Sequence, residues 1–163
     1  MRGQGAGQQT WDRAFFAVMF VMFVAWLALM ALDAVRWRWS YLPLWLQAAG
    51  AVVLLGSFAL FFATFHANTF LSPVVRIQAE RGQTVISDGP YRHVRHPMYT
   101  AFLLFAVGTT LLLGSLWGLA GAAALTALVA TRALLEERTL RRELPGYAEY
   151  MERVRYRLVP GLW

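Results

Sequence analysis

Four stretches of the chain carry apolar side chains almost without interruption, and the polar positions collect in the gaps between them. The runs cover about 14–33, 42–66, 97–113 and 116–135. At about 1.5 Å per residue the apolar core of the first run, Ala14–Leu32, reaches about 28 Å as a helix, close to the thickness of the hydrocarbon layer. It is too long for a signal peptide, and no small-residue cleavage site follows it. Pro97 is suited to the first position of the third helix. Gly114-Ser115 leaves almost no loop before the fourth, so the last two spans should form a tight antiparallel hairpin. Gly118, Gly121, Ala122, Ala123 and Ala124 offer a small-residue face for close helix approach. Trp37-Arg38-Trp39 and Tyr41 read as an interfacial aromatic anchor.

Residues Thr69–Ile86 are mixed in character and predict an interfacial segment with a short helix. Ser87-Asp88-Gly89-Pro90 is a turn signal. From Arg132 the fourth helix should leave the membrane and continue through Leu140 until Pro145-Gly146 breaks it. Tyr147–Leu158 then reads as an amphipathic helix on the surface. The expected fold is all-α: a polytopic transmembrane helix bundle of four spans, with a tight C-terminal hairpin and a cytoplasmic amphipathic helix. A single membrane domain takes up residues 1–163. The glycines at 3, 5 and 7 do not make a phosphate loop, because no strand precedes them.

Composition agrees with this pattern. Of 163 residues, 58% are hydrophobic and 15% charged, against about 25% charged in a soluble domain. A small soluble domain has too little interior for so much apolar surface, and a disordered chain could not leave it unburied. There is no cysteine, which excludes disulfides, thiolate metal sites and a cysteine nucleophile. The net charge of +6 comes from fifteen arginines and no lysine. In this context it favours anionic lipid headgroups as partners and not nucleic acid. With the N-terminus inside, thirteen arginines fall on the inner side and only Arg36 and Arg38 on the outer. The positive-inside rule therefore places both termini and the Tyr91–Tyr99 tract in the cytoplasm. Size and the lack of a recognisable targeting signal suggest a bacterial-type inner (plasma) membrane.

Two polar clusters share that inner face. One is Tyr91-Arg92-His93-Val94-Arg95-His96-Pro97-Met98-Tyr99, at the entrance to the third span. The other is Arg132 with Glu136 and Glu137, at the exit of the fourth. The hairpin should bring them together into a boundary pocket of carboxylates, guanidinium, imidazole and aromatic rings. Arg132 and Glu136 are four apart and share a helix face. Singly, each residue has an ordinary explanation: orientation for the arginines, a helix salt bridge for Arg132–Glu136, a belt position for the aromatics. Their order and spacing together carry the inference.

The tract Gly89–Tyr99 resembles the signature of the isoprenylcysteine carboxyl methyltransferase family, which is itself similar to the phospholipid N-methyltransferases. The second half agrees, with Arg132, Glu136-Glu137, Leu140, Gly146, Tyr147, Tyr150 and Arg153, ending Arg157-Leu158-Val159-Pro160. The resemblance covers roughly residues 74–160. It implies an integral membrane methyltransferase that uses S-adenosylmethionine as cofactor and moves a methyl group to a hydrophobic, lipid-like or isoprenoid acceptor, with no metal. It also implies a cofactor site built from residues 87–99 and 132–160 without a Rossmann sheet. Carried over by position, Arg95, His96, Pro97 and Tyr99 would line the cofactor pocket, with Tyr91, Glu137, Leu144 and Tyr147 as further members. Arg132 and Glu136 would lie at the reacting centre. Relatives that methylate a prenylated cysteine resemble one another in an arginine near the end of the span before the signature. The second span here has none, and Arg76 is the nearest candidate. That departure speaks against the prenylcysteine carboxylate and leaves open a phospholipid amine, a quinone-type or other isoprenoid hydroxyl, or a small hydrophobic molecule as acceptor. Two other functions compete: a non-catalytic lipid-binding subunit of the same fold, and an NADPH-dependent membrane reductase, whose known examples are much longer.

Overall fold

A computed structural model describes residues 10–72 and 77–163. Residues 1–9 with their three glycines, and residues 73–76 with Arg76, lie outside the described residues. Every regular element among the described residues is helical: α1 (Thr10–Ala31), α2 (Leu44–Ala67), α3 (Pro97–Leu112), α4 (Leu116–Glu143) and α5 (Tyr147–Arg153). Three stretches, Asp12–Trp37, Leu44–Ala67 and Leu116–Glu143, are long and apolar enough to cross a membrane. The third expected span is shorter. Pro97–Leu112 has 16 residues, or about 24 Å of helix.

The helix ends follow local chemistry. Pro97 opens α3, where its missing N–H costs nothing. The α3–α4 hairpin turns at Gly114, whose φ of +75° favours glycine. Ser115 caps α4 by accepting from Gly118 N. The fourth helix runs on to Glu143, as expected, before Pro145-Gly146 stops it. The expected amphipathic helix is truncated. Only Tyr147–Arg153 is helical, and the chain turns extended at Val154, after which the carbonyls of Tyr156 and Arg157 accept from the backbone of Arg95 and His96. Between α2 and the signature tract, the only helical element among the described residues is a single 3₁₀ turn at Ala79–Arg81.

Packing distributes the small residues differently from the expectation. Gly118 and Gly121 face the large side chains of α1, where Met30 and Trp26 fill the space a Cβ would need. Trp26 Nε1 also donates to Gly118 O at 2.8 Å. The closest backbone approach is between α2 and α3. A Cβ on Gly50 would come within 2.5 Å of Leu112 N, and one on Gly108 within 2.7 Å of Leu54 N. At the far end from the signature tract, α1 widens into a π-helical turn at Leu32–Trp37. It sets the fully buried Asp33 to accept from Ser40 Oγ at 2.7 Å, Ser115 Oγ at 2.5 Å and Trp117 N at 3.3 Å. This clasp ties α1 to the hairpin turn and holds the opposite ends of α3 and α4 in register.

Candidate active site

The hairpin brings the entrance of α3 beside the exit of α4, and the segment after α5 straps across both. Arg95 N donates to Tyr156 O and His96 N to Arg157 O, each at 2.9 Å. Thr100 Oγ1 donates to Leu158 O at 2.7 Å. Glu137 sits at the centre of this junction. Its Oε1 accepts from Arg95 Nε at 2.6 Å and lies 3.2 Å from His96 Nε2, and its Oε2 accepts from Arg157 Nε at 2.9 Å. Arg95 Nη1 also donates to the carbonyls of Val154 and Arg155. Charge-assisted bonds of this kind are stronger than neutral ones, so the cluster locks three segments together.

Beside this junction a cavity opens. Tyr91, Arg95, His96, Pro97 and Tyr99 line one side; Glu136, Leu144 and Tyr147 line another. The remaining wall includes Asn68, Phe70 and residues 83–86, which precede the signature tract. Tyr99 Oη donates to Glu136 Oε2 at 2.6 Å, so the two polar clusters meet directly. The imidazole of His96 stacks on the Tyr99 ring at 5.4 Å. Tyr91 Oη accepts from Asn68 Nδ2 at 2.9 Å, and Tyr150 Oη donates to Tyr91 O at 2.8 Å. Tyr147 Oη is buried without a hydrogen-bond partner among the described residues. Burial pushes the Tyr91 phenol up to about 12 and raises Tyr147 and Tyr150 above the usual phenol range. These phenols stay neutral near pH 7 and do not serve as bases.

Two expected site residues are placed elsewhere. Glu137 is not in the cavity wall, because its oxygens are taken up by Arg95, His96 and Arg157. Arg132 does not pair with Glu136. Its Nη2 lies 3.0 Å from Asp12 Oδ1, and both side chains are buried. The rings of Phe15 and Phe16 cover the guanidinium at 4.4 and 4.7 Å. Asp12 stands just before the first apolar run, and nothing in the sequence gave it a partner. Tyr150 and Arg157 stood in the matching second half of the signature, but nothing in the sequence gave them partners.

This geometry is that of a helical membrane protein whose polar cavity sits where two helices end, with no nucleotide-binding sheet among the described residues. Residues 40–142 match the isoprenylcysteine carboxyl methyltransferase family. The chain belongs to that family. It is 28% identical over 113 residues to protein-S-isoprenylcysteine O-methyltransferase B of Arabidopsis thaliana, covering 68% of this chain and 57% of the relative. It is 34% identical over 61 residues to protein-S-isoprenylcysteine O-methyltransferase of Schizosaccharomyces pombe, covering 37% of this chain and 26% of the relative. The chain thus spans between a quarter and just over half of the length of these relatives.

Proposed function

We propose that the protein is an integral membrane methyltransferase that takes S-adenosylmethionine from the cytosol and a lipid-like acceptor from the bilayer. The observation that carries this is the Tyr99–Glu136 bond, which joins the signature tract to the α4 carboxylate at the wall of one cavity. In this reading α1 to α4 are four spans of a single membrane domain, with both termini and the cavity at the cytoplasmic face. With 16 residues, about 24 Å of helix, the short α3 would cross where the bilayer thins locally to match it.

The cavity's donor set fits the cofactor. The tyrosine rings present negative faces to a cation, Glu136 is placed to accept from an ammonium or ribose hydroxyls, and the buried Tyr147 hydroxyl has a donor to offer. When bound, S-adenosylmethionine would supply a methyl group from its sulfonium sulfur: the acceptor heteroatom would bond to the methyl carbon as the carbon–sulfur bond breaks, with the electron pair left on a neutral thioether. The protein's own work is positioning and exclusion of water. His96 is braced between Glu137 and the Tyr99 ring, so it shapes the cavity wall. Glu136 takes the proton when the acceptor is an amine or hydroxyl. A carboxylate acceptor needs no base, only orientation.

The names of the relatives make an S-isoprenylcysteine carboxylate the first acceptor to try. The absence of arginine and lysine from α2 keeps amine and hydroxyl lipids as the second class. Radiolabelled methyl transfer by purified protein in lipid, with a prenylcysteine analogue and separately with a total lipid extract, tests the proposal. Label is expected in a lipid-soluble product whose mass rises by one methyl in place of a hydrogen. Folded, donor-binding protein that labels neither pool would point instead to a lipid-binding subunit.

A further inference from the structure

The first turn of α1 lies outside the family match, which begins at residue 40. It nevertheless reaches the site. Asp12 is fully buried and meets Arg132 Nη2 at 3.0 Å, across 120 residues of sequence. Phe15 and Phe16, three and four residues on, share its helix face and lie over the guanidinium. One turn of helix therefore supplies a carboxylate at one edge of Arg132 and two ring faces beside it. The Arg132 charge also acts on the Tyr99 hydroxyl, which donates to Glu136 at the cavity wall.

A buried ion pair is a poor device for stability alone, since desolvating both charges offsets most of their attraction. What it does fix is geometry. We propose that Asp12 is a positioning residue for methyl transfer: it holds the Arg132 guanidinium and, through Tyr99, sets the orientation of the Glu136 carboxylate in the cavity. This rests on the methyltransferase reading above. It adds a residue from the first span to a site otherwise built from α3, α4 and the C-terminal strap.

The test compares wild type with Asp12→Asn and Asp12→Glu, with turnover normalised to donor-binding sites counted by calorimetric titration with S-adenosylmethionine. Turnover per site in Asp12→Asn is expected to fall by about 10²-fold, the scale of a misplacement of about 1 Å at a reacting centre. Donor affinity should stay within about threefold, a shift well under 1 kcal/mol. Asp12→Glu restores the charge on a longer arm and should recover about tenfold of the loss. A purely structural role would lower the number of donor-binding sites and leave turnover per site unchanged. That result, or an Asp12→Glu no better than Asp12→Asn, overturns the proposal. If Asp12→Asn gives no folded protein, Asp12→Glu decides: wild-type turnover per site in that variant overturns it. Wild-type protein that neither binds the donor nor transfers methyl contradicts the underlying reading, and the proposal with it.

Discussion

Glu136 and Glu137 are neighbours in the sequence with opposite assignments. Successive residues on a helix point about 100° apart, so Glu136 faces the cavity while Glu137 turns into the junction of α3 with the C-terminal strap. Glu137→Gln removes the charge that Arg95 and Arg157 share, with Arg95 itself buried. Breaking such a cluster from one side costs about 3–5 kcal/mol. Chemical or thermal unfolding in detergent should show that loss. Glu136→Gln should do the reverse. Its unfolding midpoint should stay close to wild type, and methyl transfer to an amine or hydroxyl acceptor should fall by about 10²-fold or more, the usual contribution of a general base. Equal instability in both variants would mean the two carboxylates are not divided in this way. The sequence placed both acids at the right end of the right helix. It could not divide them, because their partners lie far along the chain: Tyr99 for Glu136, and Arg95, His96 and Arg157 for Glu137. The pairing of Arg132 with Asp12 was hidden for the same reason: an i,i+4 carboxylate is the nearest partner along the chain, but not in space.

Among the elements, α2 and α3 make the tightest contact, and two glycines create it. Gly108→Ala would press a Cβ against the Leu54 backbone, which cannot swing aside like a side chain. The helices must separate, at a cost of about 1–3 kcal/mol. Gly56→Ala is the matched control, since a Cβ there meets nothing within 4 Å. It should be neutral or slightly stabilising, because alanine suits a helix interior better than glycine. Unfolding of the two variants side by side checks this. The order of the helices, the Gly114 turn and the extension of α4 beyond the apolar stretch were all legible as runs and breakers. Which helix fills which small-residue face was not. Gly118 and Gly121 could have accepted any neighbour, and only the bulk of Trp26 and Met30 decides for α1. The C-terminal helix came out shorter than its amphipathic pattern because backbone pairing with residues 95 and 96 competes with helical bonding after Arg153.

At the scale of the molecule, the arginine asymmetry predicts one orientation, and the absence of cysteine makes that easy to test. Tyr41 is 89% exposed near the Asp33 clasp, and Glu149 is exposed on α5 beside the cavity. A membrane-impermeant maleimide should label Tyr41→Cys in intact cells, and Glu149→Cys only after permeabilisation. The opposite pattern would put the cavity on the wrong side for a cytosolic cofactor. The most direct test of the whole account is calorimetric titration of the purified protein with S-adenosylmethionine and with its demethylated product. Saturable binding of both to wild type is expected, with loss in His96→Ala, which removes the ring stacked on Tyr99 at the cavity wall. No heat with either ligand in folded protein, or wild-type binding in His96→Ala, would contradict the assignment of this cavity to the methyl donor.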